Sequence, residues 1–176
     1  MTANIQTITT LHQLLDYDAR SFTSAEIELK KKLPGWINEA GSFKLKNVLQ
    51  RYLDYVQQHV QDMEDFFDEE QINSFTLCNP VMHAYINEAA TKLSLCADAA
   101  IKDASLLASI QAINHFKISM YGTAAAFAAA LDMEKVAAVF HQAEVNEKQI
   151  DDRLSQLAAY EINNEARAAI ALPGIK

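Results

Sequence analysis

The chain has 176 residues, a net charge of −8, only 4 glycines and 3 prolines, and is half hydrophobic. Its length suits one domain with a substantial core, and its abundance of Ala, Leu, Gln, Glu and Lys is typical of an all-α protein. The acidic balance argues against nucleic acid or an anionic membrane as a partner, because phosphate binding needs clustered Lys and Arg. We interpret the one basic cluster, Lys30 to Lys32, as a solvated helix face.

The expected location is the cytoplasm. The opening stretch, MTANIQTITT, shows neither the basic nor the apolar region of a signal peptide, and no apolar run reaches membrane-spanning length. Cys78 and Cys96 match no metal-binding or redox spacing, so we expect two free thiols.

Hydrophobic spacing predicts two long helices in the first half of the chain. The first runs from about Ile8 to Ala40, and its apolar spacing continues through Pro34, which should bend the helix without ending it. We expect Gly41 to close this helix and Ser42 to cap the next one. The second helix runs from about Phe43 to Glu69.

Three further helices are predicted, each beginning after a capping residue. Asn79 followed by Pro80 is typical of a helix start, and Asp103 and Asp132 are expected to cap the last two helices. The expected ranges are Pro80 to about Ala100, Ala104 to about Leu131, and Met133 to about Tyr160.

These elements predict a four-helix bundle with an additional shorter helix in the crossover connection. The long link between the second and fourth helices would let that pair run parallel. Each fully covered Leu, Ile or Phe contributes about 1.5 to 3 kcal/mol, which is ample to set the fold. We assign the bundle to residues 1–161 and regard residues 162–176 as a C-terminal tail or a short docking helix.

Polar residues interrupt the inward-facing stripes, where charge is costly unless it is paired or binds a metal. A two-metal carboxylate site typically uses two Glu and two Glu-x-x-His motifs on facing helices, and no Glu-x-x-His occurs here. The inward polar residues are Asp18, Glu26, Tyr52, Tyr55, His59, Asn114, Lys117, Glu147 and Asp151, with His115 at the edge of its stripe.

Four segments resemble one known family: LLDYDARSFTSAEIELKKKLP, LKNVLQRYLDYVQQHV, IKDASLLASIQAINHFKISMYGTA and AEVNEKQIDDRL. They are similar to the YciE/YciF-like ferritin-like proteins over about Leu11 to Leu157. The most specific matches are Ser24 to Glu26, Gln111 with His115, Tyr121 to Thr123, and Glu147-Lys148 with Asp151.

The resemblance implies a ferritin-like fold and a bacterial, stress-associated, cytoplasmic homodimer. The family has a His-Leu-Glu-Glu-Thr run in its second helix and a Val-Glu-His-Tyr-Glu run in its fourth. Here those runs read YLDYV at 52–56 and INHFK at 113–117. Family positions are matched by Glu26, His115, Glu147 and Asp151, whereas Tyr55, Asn114 and Lys117 replace family carboxylates.

We hypothesise that Lys117 takes the electrostatic place of a lost metal by pairing with Glu26, Glu147 or both. Alternatively, its ammonium could extend to the bundle surface. We interpret Tyr52, Tyr55 and Tyr121 as core aromatics, although their hydroxyls could donate to those acids.

The leading functional hypothesis is a non-catalytic stress-associated or structural protein with a degenerate two-metal site. It would need no cofactor and would act as a homodimer with an unknown protein partner. The alternative is an active di-iron or di-manganese carboxylate protein acting on peroxide, dioxygen or iron, since such chemistry needs a redox metal. The ligands would then be Glu26, His59, His115, Glu147 and Asp151, of which His59 also suits a core histidine and His115 a residue that orients a ligand.

Overall fold

The computed structural model describes residues 7–70 and 77–167, and every regular element within them is helical. The all-α prediction is therefore confirmed for this part of the chain. None of these helices is both long and apolar enough to cross a membrane. Residues 168–176 of the predicted tail lie outside the described residues. The elements are α1 (Leu11–Glu39), α2 (Phe43–Glu69), α3 (Pro80–Leu95), α4 (Ala99–Ala130), α5 (Glu134–Leu157), a π-helical turn (Ala158–Ile162) and α6 (Asn163–Ala166).

Two of the predicted capping residues are confirmed. Ser42 accepts a hydrogen bond from the backbone N–H of Leu45, and Asn79 accepts one from that of Met82. Each side chain therefore satisfies one of the backbone donors that a helix start leaves without an intrahelical partner. Pro34 lies inside α1, which continues beyond it as expected.

Two other capping predictions were wrong. α4 begins five residues earlier than expected, after Asp98, whose carboxylate accepts from the N–H of Ile101. Asp132 does not cap α5, because it has a φ of 58° and forms part of the turn between α4 and α5. Met133 occupies the cap position of α5 without a side-chain hydrogen bond.

Asp103 instead lies inside α4 and binds the start of α2. Its carboxylate accepts hydrogen bonds from the backbone N–H groups of Gly41 and Ser42, both at 2.7 Å. The prediction that Gly41 closes α1 was also wrong. The cap is Ala40, in an extended conformation, and the aspartate fixes the turn that follows it.

The long helices contact one another in a closed ring. α1 packs against α2 and α4, and α5 packs against the same two helices. The shorter α3 packs outside this ring, against α1 and α4. Their apolar faces form two clusters of buried residues.

A layer of buried polar side chains separates those two apolar clusters. Along each helix of the ring, one buried ionisable residue lies between residues of one cluster and residues of the other. They are Glu26 on α1, His59 on α2, Lys117 on α4 and Glu147 on α5. The fold thus brings four ionisable side chains from four helices to one level of its core.

Candidate functional site

Lys117 lies between two carboxylates at the centre of the polar layer. Its Nζ is 2.6 Å from Glu147 Oε1 and 3.0 Å from Glu26 Oε1. Lys117 is 4% exposed, Glu26 1% and Glu147 0%. The lysine therefore pairs with both acids inside the fold, and the alternative that it extends to the surface was wrong.

Helical phase explains why Lys117 points inward. Asn114, Lys117 and Tyr121 are spaced three and four residues apart, which places them on one face of α4, and all three are buried. The ammonium also lies over the ring of Tyr52, 4.7 Å from its centroid. That position gives the cation a further favourable electrostatic contact.

The second oxygen of Glu147 accepts two hydrogen bonds. The Tyr52 hydroxyl donates to Oε2 at 2.9 Å, and Asn114 Nδ2 donates to the same atom at 2.7 Å. Asn114 Nδ2 is also 3.0 Å from the backbone oxygen of Glu147. The carboxylate is therefore satisfied by groups from α2 and α4.

Glu26 is held on one side only. Its Oε1 accepts a hydrogen bond from the Tyr121 hydroxyl and faces His59 Nδ1 at 3.3 Å. Its Oε2 is buried and accepts no hydrogen bond from the described residues. This oxygen is the least satisfied acceptor of the carboxylate pair.

His59 contacts both acids through one ring nitrogen. Its Nδ1 is also 3.5 Å from Glu147 Oε1, so this nitrogen faces one oxygen of each carboxylate. The ring stacks on Tyr55 and meets the edge of Tyr121. Nε2 faces the side-chain amide of Asn146 at 3.3 Å, so contacts fix both the plane and the polarity of the imidazole.

Burial and charge move the pKa values of the two acids in opposite directions. Burial raises the pKa of Glu26, but the Lys117 ammonium and the His59 contact outweigh it and hold that pKa at about 2. Burial and the nearby negative charge of Glu26 raise the pKa of Glu147, although Lys117 opposes them. The two buried acids share the single Lys117 ammonium, so the charge on one acid affects the ionisation of the other.

The two tyrosines remain hydrogen-bond donors over a wide pH range. Burial, together with the neighbouring carboxylates, raises the pKa of both Tyr52 and Tyr121 well above its ordinary value. The alternative that their hydroxyls donate to the two acids is therefore confirmed, and the interpretation of both residues as simple core aromatics was wrong.

Not every residue predicted for the site reaches the polar layer. Tyr55 is half-buried and donates to Gln149 Oε1 at 2.8 Å. His115 is exposed and pairs with Asp151 at 2.9 Å, outside the buried cluster. His115 lies outside the cluster because of helical phase. It is one residue beyond Asn114, so its side chain is rotated by about 100° around the helix axis.

The first helix contributes one inward acid, not two. Asp18 was expected on the inward stripe, but it is half-buried, and desolvation raises the pKa of its carboxyl. The sequence predicts a vestigial site at the seven family positions: Glu26, Tyr55, Asn114, His115, Lys117, Glu147 and Asp151. Of these the structure brings four together, Glu26, Asn114, Lys117 and Glu147.

The donor set does not fit a two-metal centre. Glu26, His59 and Glu147 can each bring one ligand atom within 4.8 Å of the others, which is a possible site for one ion. Two divalent ions need several bridging carboxylates. Here an ammonium lies between the two acids, and an amide donor occupies one oxygen of Glu147.

The helical fold and its solved neighbours define a protein with a ferritin-like fold. The chain belongs to the family described as a domain of unknown function, DUF892, which matches residues 10–167. It is 26% identical over 144 residues to protein YciF of Escherichia coli K12. The aligned region covers 81% of this chain and 87% of YciF. The predicted resemblance to YciF-like proteins is confirmed.

Three solved structures are similar to this fold. YcfI from Rhodopseudomonas palustris, a protein proposed to be structural, has a TM-score of 0.83 and 25% identity, covering 87% of this chain and 98% of its own. The E. coli stress protein YciF has a TM-score of 0.82 and 21% identity, and the match covers 92% of this chain and 100% of the YciF chain. A two-domain protein from Anabaena variabilis, with DJ-1/ThiJ/PfpI-like and ferritin-like domains, has a TM-score of 0.60 and 14% identity. The match covers 96% of this chain and 41% of the two-domain protein.

Proposed function

We propose that this protein is a non-catalytic, stress-associated or structural member of the ferritin-like proteins, in which Lys117 replaces metal ions. The observation that carries the proposal is the ammonium at 2.6 Å and 3.0 Å from two buried carboxylates on different helices. A covalently attached cation neutralises acids that would otherwise be costly to bury. The fold then does not depend on the supply of a metal.

The proposed architecture is a four-helix bundle with α3 as the additional helix of the crossover. α1 and α2 form a hairpin joined by a short turn. Glu26 in the middle of α1 contacts Tyr121 of α4, whereas Gly41, just beyond the end of α1, contacts Asp103 near the start of α4. These two helices therefore run in opposite directions. α2 and α4 are then parallel, which is the arrangement that a crossover connection supports.

The proposed setting is a cytoplasmic homodimer that acts through an unknown protein partner. Support comes from the family, from the E. coli relative described as a stress protein, and from the R. palustris relative proposed to be structural. In this role the polar layer holds α1, α2, α4 and α5 in register. It does so because each of its four ionisable residues comes from a different helix.

A second candidate is the binding of one divalent ion by Glu26, His59 and Glu147, whose ligand atoms lie within 4.8 Å of one another. Such an ion would compete with Lys117, because both contact the same carboxylate oxygens. If the ion were iron or manganese, it would supply redox chemistry toward peroxide, dioxygen or iron that the side chains alone cannot perform.

The test is metal analysis of protein purified without chelators from cells grown with added iron and manganese. We expect a trace metal content and a stable fold in the native chain. The Lys117→Glu variant, which removes the cation and restores a carboxylate, should bind a divalent ion. Lys148→Glu is the matched control, because Lys148 pairs with Glu144 at the surface.

The outcomes separate the two candidates. Two iron or manganese ions per native chain would overturn the proposal, and one ion at high occupancy would favour the second candidate. If Lys117→Glu binds no more metal than Lys148→Glu, the idea that Lys117 occupies a former ligand position fails.

A further inference from the structure

A groove of about 550 Å³ lies between α1 and α3, away from the polar layer. Three of its lining residues, Trp36, Ile86 and Leu93, are buried apolar side chains that belong to the core. The volume falls within the range of small-molecule sites, and the lining combines apolar with polar residues.

The rim of this groove is cationic. Lys31 and Lys32 of α1 and Lys102 of α4 line it, and none of the three forms an ion pair with another described residue. Glu39 contributes an acid to the lining. In a chain of net charge −8, three unpaired ammonium groups at one groove form a local positive field that attracts anions. Lys31 and Lys32 belong to the basic cluster that we interpreted from the sequence as a solvated helix face. In the structure this cluster borders a groove.

Small residues leave the groove open. Gly35 and Ala90 line it from α1 and α3. A Cβ atom added at Gly35 would meet nothing within 4 Å, so the space above this residue is free. A ligand can therefore approach the backbone of α1 between the lysines and Trp36.

We propose that this groove binds an amphipathic anion. An alkyl chain or flat ring would lie on the apolar floor and exclude water from it. A carboxylate or phosphate would lie among the ammonium groups of the rim, which are strong point-charge donors for such anions. The inference rests on residues outside the polar layer, so it stands independently of the proposed function.

The probe is decanoate, titrated below its micelle concentration into the full chain and followed by calorimetry and NMR chemical shifts. Acetate carries the same head without the chain, and decanol carries the chain without the charge. We expect saturable binding of decanoate, with shifts at Trp36, and no comparable binding of either control. Vesicles of anionic phospholipid present the same chemistry in a bilayer and should not bind the chain.

Two variants locate the site. The first is a triple variant that combines Lys31→Gln, Lys32→Gln and Lys102→Gln. It should weaken decanoate binding about tenfold, since each substitution removes one exposed charge contact. Gly35→Leu should abolish binding by filling the groove, while the open space above Gly35 lets the chain fold. Lys30→Gln is the control, because this exposed residue belongs to the same run but is not among the residues that line the groove.

The proposal is overturned if decanoate does not bind, if decanol binds equally well, or if both groove variants bind like Lys30→Gln. Binding to vesicles without binding of free decanoate would also overturn it. Circular dichroism of each variant checks that a loss of binding is not a loss of the fold.

Discussion

The Lys117 ammonium and the Glu147 carboxylate are 2.6 Å apart on neighbouring helices, and both side chains are buried. Removing one member of a buried pair leaves the other charge without compensation, which typically costs about 3 to 5 kcal/mol. We therefore expect Lys117→Met to lower the free energy of unfolding by that amount. Urea denaturation at neutral pH measures it.

The matched surface pair is Lys148 and Glu144, whose charged atoms are also 2.6 Å apart although Lys148 is 56% exposed. Lys148→Met should change the free energy of unfolding by less than about 1 kcal/mol. Adding Glu147→Gln to Lys117→Met should recover part of the loss, because one uncompensated charge is removed. Equal effects of Lys117→Met and Lys148→Met would contradict the buried pairing.

The hydroxyls of Tyr52 and Tyr121 should contribute to stability individually. Each donates to a buried carboxylate, and hydrogen bonds to charged groups are worth about 1.5 to 3 kcal/mol. Tyr52→Phe and Tyr121→Phe should each lower the free energy of unfolding by that order. Tyr17→Phe is the control, since Tyr17 is 49% exposed; losses no larger than those of the control would rule out the assigned hydrogen bonds.

The same tyrosines predict a sensitivity to alkali. Because the pKa of each is raised in the folded chain, their contribution is complete below the ordinary pKa of about 10 and is lost as pH rises above it. Unfolding measured between about pH 9 and 11.5 should show a steep loss of stability. The double Tyr52→Phe and Tyr121→Phe variant should show a flatter decline, and parallel curves would refute the assignment.

Glu26 predicts the opposite dependence in acid. Its pKa is lowered from 4.5 to about 2, so its contribution is present above pH 4.5 and is lost as pH falls toward 2. By linkage the contribution is roughly 3 kcal/mol. Glu26→Gln should be less stable at neutral pH and should lose less between pH 4.5 and 2. The pKa of Glu147 is raised, so Glu147→Gln should not flatten the acid limb in this way.

Helical phase allowed the sequence to predict the inward positions of Glu26, Lys117 and Glu147. Each lies on an amphipathic helix with apolar residues three or four positions away, and the period decides the direction. Phase also explains why the match to a family position did not place His115 in the layer. His115 adjoins Asn114 in the chain, and neighbouring residues on a helix point in different directions.

The capping predictions separate local from long-range signals. Ser42 and Asn79 bond to backbone groups three residues away, so a short stretch of sequence contains both partners. Asp103 bonds to Gly41 and Ser42, which lie 62 and 61 residues away. No local pattern contains that pairing, so the sequence predicts that Asp103 caps its own helix.

The role of Asp103 leads to a last prediction. Asp103→Ala would leave two backbone N–H groups of Gly41 and Ser42 without their acceptor in a partly buried turn. We expect a loss of about 2 to 3 kcal/mol in the free energy of unfolding and faster hydrogen exchange at both amides.

Asp98→Ala is the control, since it removes an ordinary cap worth about 1 kcal/mol. Asp103→Asn should be intermediate, because the amide keeps one acceptor oxygen. If Asp103→Ala costs no more than Asp98→Ala and leaves exchange at residues 41 and 42 unchanged, the carboxylate does not hold the α1–α2 turn. Faster exchange confined to those two amides would instead show that an acid on α4 holds the turn between α1 and α2.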